Sequence, residues 1–396
     1  MSNARVLNGI RVVEQGTFIT GPCAGMMLAD LGADVIKIES AEGDPYRNYQ
    51  GALYSPHFQA YNRNKRAMVC DLKNPADREL FDQLIAKADV YIQNFRPGTA
   101  ERLGAGVERL HQLNPSLIYA SISGFGATGP YTDRPSYDSV AQALSGFLSV
   151  VVDEDRPRFL GPALADAITG IYAAYGILGA LVERARTHSG KHLEISMLEA
   201  MAHFAVEPFA AYFALGVNPK SSDRPRLAQA YILRTADAQL LAIHLSSLEK
   251  FWTGLISAMD AGHLQRDPRF SQRLARIDNY EALGEQLDAI FRQRSLADWT
   301  ERLGRHDVPF APINTIEAVV EDPQVQHLGL VVPVAERVHG GAYAVRPAFR
   351  YDGHHAASVT AAPTLNQHGD GIRRALQGSG IWPEARESVL AEVATA

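Results

Sequence analysis

Two cysteines in 396 residues, Cys23 and Cys70, are too few and too far apart for a disulfide framework or a metal pair. A reduced, metal-free protein is the expectation. The 13 histidines include no pair at metal-ligand spacing with a nearby third ligand, and the adjacent His354 and His355 could not both face one site in regular structure. Internal repeats and low-complexity tracts are missing, which excludes repeat arrays. The apolar runs are broken by Asp, Glu, Arg or Lys before spanning length, and Met1-Ser2-Asn3-Ala4-Arg5 lacks a signal-peptide pattern. A cytoplasmic location without a membrane partner is therefore expected. A net charge of −6 argues against general nucleic-acid binding. Walker A, GxSxG and HExxH sequences are also absent.

What is present is an ordinary folded composition, 46% hydrophobic and 21% charged, in a chain longer than one core usually supports. Strand-like runs at 10–14, 34–38, 67–72, 90–95, 117–122 and 192–196 alternate with helical ones, among them 22–32, 74–88, 139–150, 166–186 and 197–215. That order predicts an α/β fold with a doubly wound parallel sheet. Residues 216–230, rich in Ser, Pro, Asp and Arg, read as a linker. Strand-like runs at 231–234 and 240–245 and helices at 248–259, 279–292 and 296–304 predict a smaller α+β unit over 231–329. The large domain is expected from 1–215 together with 330–396.

Asp166 is the most informative residue. It precedes a long apolar stretch, where an acid is either a helix N-cap or a carboxylate held for chemistry by the free N–H groups of a helix start. In the second case it would be ionised and available as a nucleophile. Two other stretches suggest an anionic guest. Asn62-Arg63-Asn64-Lys65-Arg66 gathers three cations before a strand, and Asn94-Phe95-Arg96-Pro97-Gly98 lies at the carboxyl end of another, where α/β sheets bind ligands. Lys73 and Arg102 lie near the same strand ends and could add positive charge to a phosphate site. A solvated basic surface is the plain alternative. Gly124-Phe125-Gly126-Ala127-Thr128-Gly129 matches GxGxxG, but a proline-bearing loop follows where a dinucleotide site needs a helix.

Taken as a set, Leu7-Asn8-Gly9-Ile10-Arg11-Val12-Val13-Glu14, Gly21-Pro22, the stretch 28–39, Asn62 to Arg66 and Asn94 to Gly98 resemble the class III CoA-transferase family (CaiB/BaiF family). Ser123 to Gly126, Thr128-Gly129-Pro130, Tyr137-Asp138, Leu164-Ala165-Asp166, Gly190-Lys191, Val308 to Pro312 and Gln367-His368 extend the likeness in order and spacing over nearly the whole chain. The resemblance implies a Rossmann-like large domain built from both chain ends, a small domain between, and an interlocked homodimer. It implies that Asp166 attacks an acyl-CoA thioester, passing through an aspartyl anhydride and an aspartyl-CoA thioester, with coenzyme A a cosubstrate rather than a bound cofactor. It also places Asn94, Phe95, Arg96, Arg102, Leu72 and Lys73 at the adenine and phosphates of CoA, Ile19 and Thr20 near the thioester, and Tyr137 and Asp138 at the reacting end. Ser40 falls where some members carry an Arg.

Two departures bear on the substrate. Ile19 replaces the Gln of formyl-CoA transferases, and their glycine-rich loop is not evident, so formyl and oxalate are not expected. The favoured donor is succinyl-CoA, and Arg134, Arg224, Arg226 and Arg234 are candidates for the second carboxylate of a dicarboxylic acid. The competing readings are an α-methylacyl-CoA racemase-like isomerase and a CoA-binding protein without turnover. Racemases of this fold carry a His where Tyr137 stands, and tyrosine is a poor base at neutral pH.

Overall fold

Short β-branched runs of the N-terminal half pair side by side because both of their faces are apolar and need cover. In the computed structural model, which describes residues 5–49, 53–153, 155–159, 161–246, 249–335, 343–355, 359–379 and 382–383, the chain divides into two compact units. The first takes in residues 1–147, 159–206 and 328–396, and the second residues 148–158 and 207–327.

In chain order the first unit contains β1 (Arg11–Gln15), α1 (Thr20–Asp30), β2 (Asp34–Glu39), α2 (Pro56–Asn62), β3 (Lys65–Val69), α3 (Pro75–Ile85) and β4 (Val90–Gln93). There follow α4 (Thr99–Arg102), α5 (Val107–Leu113), β5 (Ile118–Ser123), α6 (Asp138–Leu144), α7 (Leu164–Thr187), β6 (Lys191–Ser196) and α8 (Met197–Phe204). The six strands are all parallel, in the order β3-β2-β1-β4-β5-β6. This is the doubly wound order, whose direction reverses between β1 and β4. One face packs Val13, Ile36, Met68, Tyr91 and Tyr119 against Leu80, Phe81 and Leu84 of α3 and against Ile372 and Leu376 of a C-terminal helix, Gly369–Ser379. The other packs Val12, Val35, Ile92 and Ile118 against Ala24 and Leu28 of α1 and Ala173 and Ile177 of α7. Gly190 enters β6 where a Cβ would lie 2.2 Å from the Leu117 carbonyl oxygen, so only glycine lets the edge strand close on β5.

Helix α7 is long and apolar enough to cross a membrane by length and composition. Its Ala173, Ala174, Ile177 and Ala180 are buried in the core, while Ile171, Tyr175 and Val182 are exposed. The helix expected over 197–215 is two helices, α8 and Val206–Leu215, broken at Ala205. Pro208 explains the break, since its ring cannot sit over the Phe204 carbonyl of a continuous helix and it has no N–H to donate.

The second unit has an antiparallel sheet of Ala230–Arg234, Leu240–His244 and Phe310–Pro312. Helices Glu249–Met259, Tyr280–Phe291 and Leu296–Arg305 complete a core in which Phe291 stacks on Trp299 at 4.2 Å between ring centroids. Its third strand is only three residues long and ends in proline, too short for an alternating pattern to register. The stretch 216–230 is not purely extended, because it carries a short helix, Asp223–Ala228.

Candidate functional site

At the sheet's reversal point the loops that follow β1 and β4 are tied together. Asn94 Oδ1 accepts from Thr17 N at 2.9 Å, and its Nδ2 donates to Thr17 O and Thr20 Oγ1, both at 2.8 Å. Asn94 is thus a clasp on the loop that opens α1, and Ile19 and Thr20, both buried, are fixed by it. Phe18 adopts a left-handed φ of 58°, and its N–H donates to Asp44 Oδ1 at 3.1 Å. Its ring meets Tyr137 edge-on at 6.2 Å and Tyr46 at 5.8 Å. Tyr46 in turn lies 5.5 Å from His57 and 5.2 Å from Tyr49, so an aromatic wall runs along this side of the unit.

Asp166 is half-buried in the first turn of α7, two residues past its first residue. It is not the helix cap: Ala163 holds that position and offers no side-chain bond. The cap comes from another helix. Asp138 Oδ1 accepts from Ala165 N at 2.7 Å and from Asp166 N at 3.3 Å, while its Oδ2 accepts from buried Gln142 at 2.7 Å. Two of the first-turn amides expected to stabilise an Asp166 anion, those of Ala165 and Asp166, are therefore taken, and among the described residues no donor bonds the Asp166 carboxylate. Burial, and then the neighbouring Asp138 charge, push its pKa up to about 7. The sequence-based picture of a fully ionised acid gives way to one that titrates near neutrality, because the competing carboxylate is 28 residues away in the chain and invisible to local pattern.

The groups around Asp166 are otherwise neutral. Burial raises the Cys23 thiol to about 11 and the Tyr46 phenol to about 12, with Asp166 contributing to both, and Tyr61 is raised by burial, Cys23, Asp166 and Asp138. Cys23 also marks the seam between α1 and α7: a Cβ on Gly170 would fall 2.5 Å from Cys23 Cβ. These residues were not singled out by sequence. Only Gln142 had a local signal, as the i+4 partner of Asp138 on one helix.

The cationic stretch 62–66 is not a free phosphate site. Lys65 and Arg66 belong to β3, and every cation is matched: Arg63 with Asp30 at 2.6 Å, Lys65 with Glu14 at 2.6 Å, Arg66 with Asp34 at 2.5 Å. Buried ions survive only when paired, and these acids come from strands and helices far off in sequence. Lys37 joins Glu14 at 3.0 Å to Asp44 at 3.0 Å, so the buried ladder runs from β3 to the residue that holds Phe18 and Tyr46. Burial pushes Glu14 up, but Lys37 and Lys65 outweigh it and hold it below the usual carboxylate range.

A cavity of about 200 Å³ runs along β5 and β6 and reaches past the carboxyl end of β4, lined by Phe95, Arg96, Tyr119, Ser121, His192 and Glu199, among others. Ser121 Oγ and His192 Nε2 are 2.8 Å apart within it. Asp166 is not part of its lining. Lys73 and Arg102 are exposed, as is Ser40, while the Leu72 side chain is buried in the core and has only backbone to offer a ligand. Arg134 lies over the Tyr131 ring at 4.4 Å. In the second unit Arg224 is 3.5 Å from Glu207, Arg234 donates to Ala238 O, and the Nε of Arg226 is buried without a bond.

Residues 7–369 match the model of CoA-transferase family III. A succinate–glutarate CoA-transferase of Agrobacterium fabrum is 34% identical over 82% of this chain and 84% of its own length. A succinyl-CoA–D-citramalate CoA-transferase of Chloroflexus aurantiacus is 32% identical over 81% of each. The crystal structure of a CaiB/BaiF family protein from Brucella suis superposes with a TM-score of 0.85, at 35% identity, covering 95% of this chain and all of the other. The chain belongs to CoA-transferase family III and is an enzyme, a CoA-transferase that uses acyl-CoA as cosubstrate.

Proposed function

We propose that this enzyme moves CoA from succinyl-CoA to a second carboxylic or dicarboxylic acid, with Asp166 as the nucleophile. The observation that carries the proposal is the Asp166 carboxylate itself: half-buried, without a hydrogen-bond donor among the described residues, and with a pKa of about 7. Such an anion is poorly solvated and correspondingly reactive. Its oxygen attacks the thioester carbon, the C–S bond breaks, and CoA leaves as a thiolate, giving a mixed anhydride. The thiolate then attacks the aspartyl carbonyl and expels the donor carboxylate. The acceptor carboxylate repeats the exchange in reverse, leaving acyl-CoA and free Asp166. No atom or electron is left over.

Phe95 and Arg96, which line the cavity past β4, with Arg102 and Lys73 on the exposed side, would take the nucleotide end of CoA. Asn94, Ile19 and Thr20 would position the loop beside the thioester. The dicarboxylates in the names of the Agrobacterium and Chloroflexus relatives support a dicarboxylic donor. A homodimer belongs to the same reading, supported by the exposed Ile171, Tyr175 and Val182 of α7 and the exposed Tyr212, Phe213 and Leu215 of the following helix. So does a cytoplasmic setting, with both thiols unpaired and buried.

The test is mass spectrometry of the CoA pool after mixing the protein with succinyl-CoA and a panel of carboxylic acids, beside Asp166→Ala. New acyl-CoA species that vanish in the variant establish transfer through Asp166 and identify the acceptor. No exchange with succinyl-CoA would remove the donor assignment, and exchange that persisted in the variant would remove the nucleophile.

A further inference from the structure

The first turn of a helix normally supplies its own acids with hydrogen bonds, and an Asp at the third position is well placed to accept them. In α7 that supply is diverted to Asp138, which reaches across from α6. Asp138 has no oxygen to spare, since Gln142 holds the other. We infer that Asp138 is a positioning residue for the transfer: by keeping the Ala165 and Asp166 amides for itself, it holds the Asp166 carboxylate out of the helix cap and free to attack an acyl carbon. This rests on the assignment of Asp166 as nucleophile.

The surroundings single out Asp138 electrically as well as sterically. Of the titratable groups facing Asp166, α1 contributes Cys23, the turn Pro45–Asn48 contributes Tyr46, and α2 contributes Tyr61, all raised and neutral across the physiological range. Helix α8 meets the start of α7 with Met197, Ala200 and Met201. Its Glu199 and His203 are engaged by Ser196 and Tyr172. After burial, Asp138 is the neighbour that raises Asp166, and it is the same side chain whose bonds take the amides.

Two substitutions separate the two effects. In Asp138→Asn the remaining oxygen still accepts from Ala165 and Asp166, and Gln142 can reverse its amide to meet the new N–H group, so the cap is kept and the charge is lost. In Asp138→Ala both are lost and the amides are released to Asp166. The readout is the pH dependence of Asp166 labelling by a water-soluble carbodiimide with glycine ethyl ester, followed on its tryptic peptide, which cleavage after Arg158 separates from that of Asp138. Labelling follows the protonated carboxyl, with a wild-type midpoint at about 7. The midpoint should fall by about one unit or more in Asp138→Asn and further in Asp138→Ala. The single-turnover rate of thioester cleavage with succinyl-CoA should fall by roughly 10- to 100-fold in Asp138→Ala.

Unchanged midpoints in both variants would overturn the inference, even if their melting temperatures fell, because a merely structural cap would not move the titration of Asp166. Labelling needs no substrate. A midpoint that shifts as expected in a protein with no transfer activity would therefore uphold the role of Asp138 toward Asp166 while rejecting the nucleophile assignment.

Discussion

The side-chain amide of Asn94 clasps the backbone of Thr17 on both its N–H and its C=O, across the point where the sheet reverses direction. Asn94→Ala removes three hydrogen bonds at once and frees the loop that begins α1. A stability loss of about 2–3 kcal/mol is expected from the half-buried donors and acceptors left behind. KM for the acyl-CoA should rise more than kcat falls if the loop chiefly positions the cosubstrate. Denaturant unfolding and initial-rate kinetics check both parts, and an unchanged KM would mean that the clasp only stabilises the fold.

Asp166→Asn should abolish exchange and stabilise the protein at alkaline pH. The folded pKa of about 7 lies above the ordinary aspartate value of 3.8, so between these values the folded state binds more protons than the unfolded one. Stability is lost as pH rises through that window, and the neutral amide removes the loss. The variant should gain about 1–2 kcal/mol at pH 8, discounted for partial exposure, and almost nothing at pH 4. Thermal melts of both proteins at the two pH values give the comparison.

Lys65→Met should destabilise the sheet-bearing unit by about 3–5 kcal/mol, the cost of leaving one partner of a buried pair behind. Lys65 Nζ bonds Glu14, the Pro22 carbonyl and Asn62 with no exposure to solvent. Its own pKa is lowered by burial to about 8 despite Glu14, so the site is already near its limit for charge. Glu14→Gln made together with Lys65→Met should recover part of the loss. A double variant no more stable than the single one would show that Glu14 is adequately held by Lys37 alone.

Acid should loosen the docking of the C-terminal segment. His368 Nδ1 accepts from Ala67 N at 3.2 Å, which requires a neutral ring, and burial with Arg66 nearby lowers its pKa from 6.5 to about 4. Between those values the unfolded state binds the extra proton, so stability falls as pH drops from 6.5 toward 4. The expected loss is about 2 kcal/mol. His368→Gln, which keeps an acceptor and cannot titrate, should flatten that part of the stability profile, and amide exchange at Ala67 would report the same event locally.

Read without tertiary information, the amino-acid order yielded the alternation of six parallel strands with helices, the position of Asp166 at the start of an apolar helix, and the loop past β4. Each of these is written in local signals: β-branched runs, asparagine and serine caps, prolines at first helical positions and a period that changes from two to nearly four. Pairing was a different matter. The acids that neutralise Arg63, Lys65 and Arg66, the clasp of Asn94 on Thr17, and the capture of the α7 amides by Asp138 join residues that lie between 27 and 77 positions apart, and no periodicity links them. Burial decided them, because an unpaired ion or amide in the interior is costly enough that the folded chain must bring it a partner from wherever the topology allows. The order of residues thus determined that Asp166 would stand at a helix start, and only the packing of α6 against α7 decided that it would stand there without the helix's hydrogen bonds.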